Sequence, residues 1–164
     1  MDILWEELTS GLPDARQLVH VVIRLIAASL LGAVVGYQRE AVGKPAGVRT
    51  HMLVSLGTTV FVLGCSAAGM SLEGLSRVIQ GIVTGIGFIG AGNILKLSEE
   101  RDIQGLTTAA GIWMTAAIGV AVGLGSLGIA ILSTVFTLAI LALAAVLEIR
   151  GEKDRAAKDR EREE

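Results

Sequence analysis

Residues 127–147 read LGIAILSTVFTLAILALAAVL, a stretch of 21 positions without one charged side chain. At 1.5 Å per residue, a helix of this length is about 30 Å long, which matches the hydrocarbon core of a bilayer. Uncharged apolar runs of this length are typical of transmembrane helices, which indicates that the chain is a membrane protein.

Four further apolar runs precede this one, and each ends at charged residues or at a glycine or proline turn: 18–37, 52–70, 78–97 and 106–124. Only 18% of the 164 residues are charged, against about 25% in soluble domains. The sequence predicts an all-α membrane protein, a bundle of about five transmembrane helices. It divides into an N-terminal interfacial segment (1–17), a five-span membrane domain (18–147) and a charged cytoplasmic tail (148–164).

The basic residues predict the orientation. With five spans, 11 of the 14 Lys and Arg residues fall in the first loop, the third loop and the tail, which share one side of the membrane. Because loops rich in Lys and Arg stay in the cytoplasm, we expect the N-terminus outside and the C-terminus inside.

The composition argues against several functional classes. A net charge of −2 is unfavourable for binding nucleic acid. The single cysteine, Cys65, is expected to be a small buried side chain, and His20 and His51 are expected to be polar residues near the membrane surface. Residues 85–90 (GIGFIG) match a dinucleotide-binding pattern, but they lie inside an apolar span, so we predict no cofactor. No nucleophile–base pair or pair of carboxylates lies at one depth, and we predict that the protein is not an enzyme.

Small residues are concentrated in the predicted spans, where they let helix backbones approach closely. We expect the third span to show this close approach best, with Gly81, Gly85, Gly87, Gly90 and Gly92. We expect a tightly packed bundle, self-association through small-residue faces, and contacts with membrane lipids.

Arg24 lies one to two turns inside the first span. A cation in hydrocarbon costs at least about 2.5 kcal/mol, so two interpretations stay open. The guanidinium either faces the bundle and finds a partner, with Glu73 as a candidate, or it extends to the outer membrane surface.

The first loop presents Arg39, Lys44 and Arg49 at the level of the cytoplasmic headgroups, with Glu40 beside them. Pro45 and Gly47 favour a defined turn. Contact with anionic lipid is the favoured interpretation, and a site for an anionic ligand or partner is the alternative.

Hydroxyl and aromatic side chains mark the second and fourth spans. Thr107 or Thr108 is a candidate N-cap of the fourth helix, and Trp113 is a candidate member of an aromatic belt. Hydroxyls of the second span either bond across helices or line a polar path: Ser55, Thr58, Thr59 and Ser66.

Several of these segments, taken in order, resemble the MgtC/SapB family of bacterial membrane proteins over about 100 residues. The resemblance lies in Arg24, in Arg39-Glu40, in KPAGVRTH (44–51), in Arg77 before GIVTGIGFIGAG (81–92), and in GLTTAAGIW (105–113). It implies a multi-pass protein of the bacterial inner membrane that is linked to growth in low magnesium and, in some pathogens, to virulence. It also implies regulation of other membrane machines, with the F-type ATP synthase as a candidate partner.

Two departures from the family pattern stand out. The family usually has an Asp three residues before the arginine of the third span, where this chain has Gly74, with Glu73 one residue earlier. Many members also carry a folded C-terminal domain, whereas residues 148–164 here are mostly charged.

We therefore expect a regulator that acts through helix contacts with other membrane proteins. The alternative is a transporter or channel for magnesium or another solute. Magnesium prefers oxygen ligands, and the acidic candidates, Glu40 and Glu73, lie away from the midplane where transporter sites usually sit. The third span, which we expect to be interrupted because it is rich in glycine, is the best argument for transport, since broken helices often form ion sites. The functional candidates are Arg24, Arg39, Glu40, Lys44, Pro45, Gly47, Arg49, Glu73, Arg77, Gly85, Gly87, Gly90, Gly92, Asn93, Thr107, Thr108 and Trp113.

Overall fold

The computed structural model describes the backbone of residues 14–96 and 103–163, and the side chains of residues 14–94 and 104–145. The predicted interfacial segment lies mostly outside these residues. Within these residues the fold consists of five helices: α1 (Ala15–Ala41), α2 (Val48–Ala67), α3 (Leu72–Ala91), α4 (Leu106–Gly123) and α5 (Leu127–Glu163). Each contains a stretch long and apolar enough to cross a membrane, which confirms the prediction of five spans.

The third helix differs from its predicted span at both ends. It begins at Leu72, where the Ser71 side chain accepts a hydrogen bond from the Gly74 N–H at 3.2 Å, and it ends at Ala91. Two short antiparallel strands, β1 (Leu95–Lys96) and β2 (Ile103–Gln104), follow it. The helix is continuous, so the expectation of an interrupted third span is wrong.

Helix α4 is the centre of the bundle. It is the most buried of the five apolar stretches, and it packs against all four other helices. One hydrophobic cluster joins it to α1 and α5 and consists of Ala28, Val35, Ile118, Val122, Ala130 and Leu141. A second joins it to α3 and to the loop after α1, and consists of Ala46, Ile86, Ile112 and Ala116.

Glycines set the closest helix crossings on both sides of α2. A Cβ placed on Gly32 of α1 would lie 2.6 Å from the His51 carbonyl oxygen, and one on Gly36 would lie 2.6 Å from the Val48 Cα. On the other side of α2, a Cβ on Gly123 of α4 would lie 2.7 Å from the Val62 Cβ. No side chain fits at these positions, which agrees with the expected close crossings in the first and fourth spans.

The glycines of α3 behave differently, and the expectation that this span shows the closest packing is wrong. A Cβ on Gly81, Gly85 or Gly87 would meet no atom within 4 Å, whereas one on Gly90 would lie 3.6 Å from the Ala109 Cβ. Helix α3 is also the least buried of the five. Most of its small residues therefore line surface instead of an internal crossing.

Helix α5 is longer than a bilayer requires. Its backbone stays helical to Glu163, through the charged residues predicted as a tail. Consecutive helices joined by short connections place the α1–α2 loop and the β1–β2 hairpin at one end of the bundle, here called the loop end.

Candidate functional site

Polar side chains line the contact between α2 and α4. On α2, the residues at spacings of four, seven and eight share one buried face, because 3.6 residues complete a turn. This polar seam consists of His51, Ser55, Thr58 and Thr59 from α2 with Thr108 and Thr115 from α4, all of them buried. Polar groups inside a membrane bundle are expensive unless they find partners, so the seam marks either packing or function.

His51 connects the two helices near the loop end. Its Nδ1 lies 2.7 Å from the Thr115 Oγ1, and the Thr115 hydroxyl donates to the Gly111 carbonyl at 2.9 Å. Since a hydroxyl has one proton, a Thr115 that donates to Gly111 accepts from an Nδ1–H of His51. His51 is 0% exposed, so the prediction that it lies at the membrane surface is wrong. His20, in contrast, is exposed.

Further along the seam, Thr59 bonds α2 to α4. Its hydroxyl is 2.7 Å from the Gly119 carbonyl and 2.9 Å from that of Ser55. A Cβ on Gly119 would collide with the Thr58 hydroxyl and the Ser55 carbonyl. The helices are thus too close for a hydrated ion to pass between them at this level. The Thr59 hydroxyl bonds across helices, which was one of the two interpretations left open, whereas the Thr58 hydroxyl bonds within α2, to the carbonyls of Val54 and Ser55 at 3.0 Å. Ser66 is exposed.

Arg39 lies at the loop-end entrance to the seam. It is only 2% exposed, and together with the Ala46 backbone it approaches the His51 ring. The expectation that Arg39 sits at the headgroup level is wrong, because α1 continues to Ala41 and carries it into the bundle.

The loop between α1 and α2 is fixed by Glu40. Its Oε2 accepts a hydrogen bond from the Val48 N–H at 3.1 Å, which caps the start of α2. A Cβ on Gly47 would lie 2.6 Å from that oxygen. The left-handed residue of the loop is Gly43 (φ +70°), not Gly47 (φ −98°), so the turn forms four residues earlier than predicted.

The other loop residues stay at the surface. Arg49 and Pro45 are exposed and Lys44 is half-buried. These side chains fit the expected contact with headgroups.

At the opposite end of the bundle, Arg24 faces inwards. Its Nη1 donates to the Gly123 carbonyl at 3.0 Å, at the end of α4. Glu73 is not its partner, because Glu73 pairs with Arg77 across one turn of α3 at 2.6 Å, and both side chains are about three-quarters exposed (76% and 75%).

The remaining candidates surround the α3–α4 connection. Gly92 is the C-cap of α3, and the Asn93 side chain donates to the Ile89 carbonyl at 2.9 Å. Gly105, with φ +93°, is the N-cap of α4 and has no side chain to cap it, so the prediction that Thr107 or Thr108 is the N-cap is wrong. Thr108 is buried in the seam instead, while Trp113 is half exposed.

Metal ligands are sparse. Over the side chains that the structure describes, no group of three His, Cys, Asp or Glu residues is close enough to hold a metal ion. The two acidic candidates, Glu40 and Glu73, lie about one bundle length apart, one near each end of the helices.

Comparison with known sequences identifies the family of this protein. The profile of the MgtC family matches residues 25–150, which include α1 from Leu25, α2, α3, α4 and the apolar part of α5. This chain belongs to the MgtC family. It is a multi-pass inner-membrane protein, as its five spans and its relatives indicate.

Three relatives illustrate the similarity. Protein SrpB of Synechococcus elongatus is 44% identical over 126 residues, which is 70% of this chain and 69% of SrpB. YhiD of Escherichia coli is 43% identical over 136 residues, 79% of this chain and 62% of YhiD. MgtC of Salmonella typhimurium is 42% identical over 117 residues, 71% of this chain and 49% of MgtC. The match thus spans about half to two-thirds of these relatives, and no solved structure matches the chain.

The positions of two residues at the loop end of the seam, Arg39 and His51, were predicted wrongly from the sequence. A signal for the seam was present in α2, where polar or small residues recur at 51, 55, 58, 59 and 65 on one face of an otherwise apolar helix. This pattern indicates which face is buried, but not which helix covers it.

Proposed function

We propose that this chain is a regulatory membrane protein linked to adaptation to low magnesium, and that it acts through helix contacts with other membrane proteins. Membership of the MgtC family supports the link to magnesium, as does the provisional naming of the relative YhiD as a magnesium transporter. The mode of action is inferred from the surface of the bundle.

One observation carries the proposal: an open apolar groove of about 700 Å³ between α2 and α3. Gly57 on one wall and Gly81 and Gly85 on the other leave space beside larger side chains, among them Leu53, Phe61, Val78, Ile82 and Ile89. Apolar area alone gives no drive for association in lipid, but small residues let a second helix approach closely and gain packing contacts. The groove is therefore suited to a helix of another membrane protein, and the F-type ATP synthase stays the candidate that the family resemblance implies.

Gly85 provides the test, because it lines the groove and a Cβ added there meets no atom within 4 Å. In a deletion strain grown in low magnesium, we expect Gly85→Leu to lose complementation while its membrane level and its melting temperature stay unchanged. Gly64→Leu is the matched control, since Gly64 also meets no atom within 4 Å but lies outside the groove. Full complementation by Gly85→Leu would contradict the proposal.

A magnesium or other solute transporter is the second candidate, and the buried polar seam between α2 and α4 is the observation in its favour. Against it stand the tight crossing at Gly119 and the position of Glu40 and Glu73 near the helix ends. Purified protein in sealed liposomes distinguishes the two functions. We expect no saturable magnesium flux under a gradient, and a saturable flux would replace the regulatory proposal with transport.

A further inference from the structure

Helix α3 carries a stripe of polar side chains on its outer surface. At about 100° per residue, Glu73, Arg77, Gln80 and Thr84 fall within about 60° of arc. All four are exposed, and α3 is the most strongly amphipathic of the five helices. We call these four residues the α3 stripe. In a soluble protein such a face would meet water, but this helix is long and apolar enough to span a membrane.

Depth makes Gln80 the critical member. It lies eight residues after Leu72 and eleven before Ala91, about 12 Å and 16 Å from the two ends of a helix that is long and apolar enough to span a membrane, and three residues further in than Arg77. Thr84 satisfies its hydroxyl on the Gln80 carbonyl at 3.0 Å. The Gln80 side-chain amide makes no hydrogen bond to any residue that the structure describes. An unbonded amide in hydrocarbon is strongly unfavourable, so this side chain needs a partner.

No other part of the chain that the structure describes covers the stripe. Helix α3 contacts α4 through the side that holds Ile86 and Gly90, and it faces the groove with Gly81 and Gly85. Measured from Gln80, the nearest residues of these two sides are Gly90, turned by about 80°, and Gly81, turned by about 100°. The stripe and the groove are thus two surfaces of the same helix, and they can be tested separately.

We propose that the α3 stripe is a homodimer interface, which packs against the same stripe of a second copy in the same membrane. A two-fold axis along the membrane normal makes two copies of α3 parallel, so each residue meets its counterpart at the same depth. A glutamine amide is both donor and acceptor, and two Gln80 side chains satisfy each other across the axis. A partner helix without a polar side chain at this depth would leave the Gln80 amide without a hydrogen bond.

Charge complementarity points to the same occupant. Glu73 and Arg77 are opposite in sign and one turn apart, so each carboxylate of a parallel pair can reach the guanidinium of the other copy. A helix with one sign of charge at this level would leave one member of the pair uncompensated. Below Thr84 the stripe continues into Gly87, where a Cβ would meet no atom, and the two backbones can come close.

Cysteine cross-linking of the full chain in native membranes tests the geometry. In a Cys65→Ala background, we expect Gln80→Cys and Thr84→Cys to give disulfide-linked dimers on mild oxidation. Val60→Cys is the control, because Val60 is exposed on α2 and lies at a similar distance from the loop end. Equal cross-linking at all three positions would overturn the proposal, and so would an adduct of Gln80→Cys with a different protein in place of the dimer.

Affinity gives an independent readout. An interhelical glutamine hydrogen bond in a bilayer contributes enough for Gln80→Leu to weaken the dimer by about 5- to 30-fold, measured by energy transfer between labelled copies in vesicles. Gln80→Asn keeps the amide and should retain part of the affinity. Gly85→Leu, which fills the groove, should leave dimerisation unchanged even where it abolishes growth in low magnesium. A dimer of unchanged affinity in Gln80→Leu would contradict the proposal without affecting the regulatory function.

Discussion

Arg24 Nη1 lies 3.0 Å from the Gly123 carbonyl oxygen, so a cation inside the first span caps the C-terminal end of α4. The last carbonyls of a helix have no partner within it, and the end of a helix carries a partial negative charge. The guanidinium needs compensation for its charge in the membrane, and the carbonyls at the end of α4 need a hydrogen-bond donor. The contact between them supplies both.

We predict that Arg24→Ala destabilises the bundle by about 1.5–3 kcal/mol, the range for a hydrogen bond to a charged group. The cost of inserting the cation largely cancels, because a membrane-embedded unfolded state bears it as well. Thermal or denaturant unfolding in detergent micelles measures the change. An Arg24→Ala variant as stable as the parent would show that the cap contributes nothing.

Gly125 supplies the control for this interaction. It has φ +83°, and a Cβ there would lie 2.6 Å from the Arg24 Nη2. Gly125→Ala should therefore be less costly in the Arg24→Ala background, where only the strain of the left-handed backbone remains, about 1–2 kcal/mol. Additive effects of the two substitutions would contradict the contact.

The close crossing at Gly119 leads to a second prediction. A Cβ there would lie 2.9 Å from the Ser55 Cα and would collide with two oxygens of α2. We expect Gly119→Ala to cost about 1–3 kcal/mol through overpacking. Gly64→Ala, at an open position of α2, should be neutral or slightly stabilising, because alanine favours helix by about 1 kcal/mol over glycine. Unfolding of both variants in the same detergent gives the comparison, and equal effects would argue against a tight α2–α4 crossing.

The five helices could be predicted because the length of an apolar run and the thickness of a bilayer are matched quantities. The boundaries of α3 were harder to predict from the sequence. Glu73 and Arg77 looked like residues outside the span, yet they pair with each other at 2.6 Å inside its first two turns. Hydropathy gives the depth of a residue, whereas a local ion pair or an N-cap such as Ser71 decides where the helix starts.

The positions of Arg39 and His51 could not be predicted for a different reason. Both lie near the end of an apolar run, where a charged or polar residue normally reaches the headgroups. Whether such a side chain turns inwards depends on which helix covers that face, and only the tertiary arrangement settles this. Likewise, the glycine count of α3 was visible in the sequence, but not that Gly81, Gly85 and Gly87 line surface.

The buried bond between His51 and Thr115 leads to a third prediction. Thr115→Val keeps the shape of the side chain but leaves His51 Nδ1, 2.7 Å away in the parent, without its partner. We expect a loss of about 1–3 kcal/mol, the cost of an unsatisfied buried polar group. Nitrogen NMR of the imidazole should report a protonated Nδ1 in the parent and a changed tautomer balance in the variant.

Thr134→Val is the matched control for this substitution. Thr134 is also buried, but its hydroxyl bonds only the Ala130 carbonyl of its own helix, at 2.8 Å. Removing this hydroxyl leaves no second side chain without a hydrogen-bond partner, so the loss of stability should be smaller than for Thr115→Val. A reversed order would show that the His51 contact has little weight.

Substitutions of Glu40, the acidic candidate at the loop end, distinguish a structural role from an ion-binding role. Its carboxylate caps α2 through the Val48 N–H at 3.1 Å. If capping is its role, Glu40→Gln keeps an acceptor oxygen, and the variant should retain its stability and its growth in low magnesium. Glu40→Ala should lose about 0.5–2 kcal/mol, the usual cost of removing a cap. If the carboxylate is instead a magnesium ligand, Glu40→Gln should fail in growth as fully as Glu40→Ala, because the amide has lost the charge that a hard cation prefers. Complementation and melting curves of the two variants, taken together, separate these outcomes.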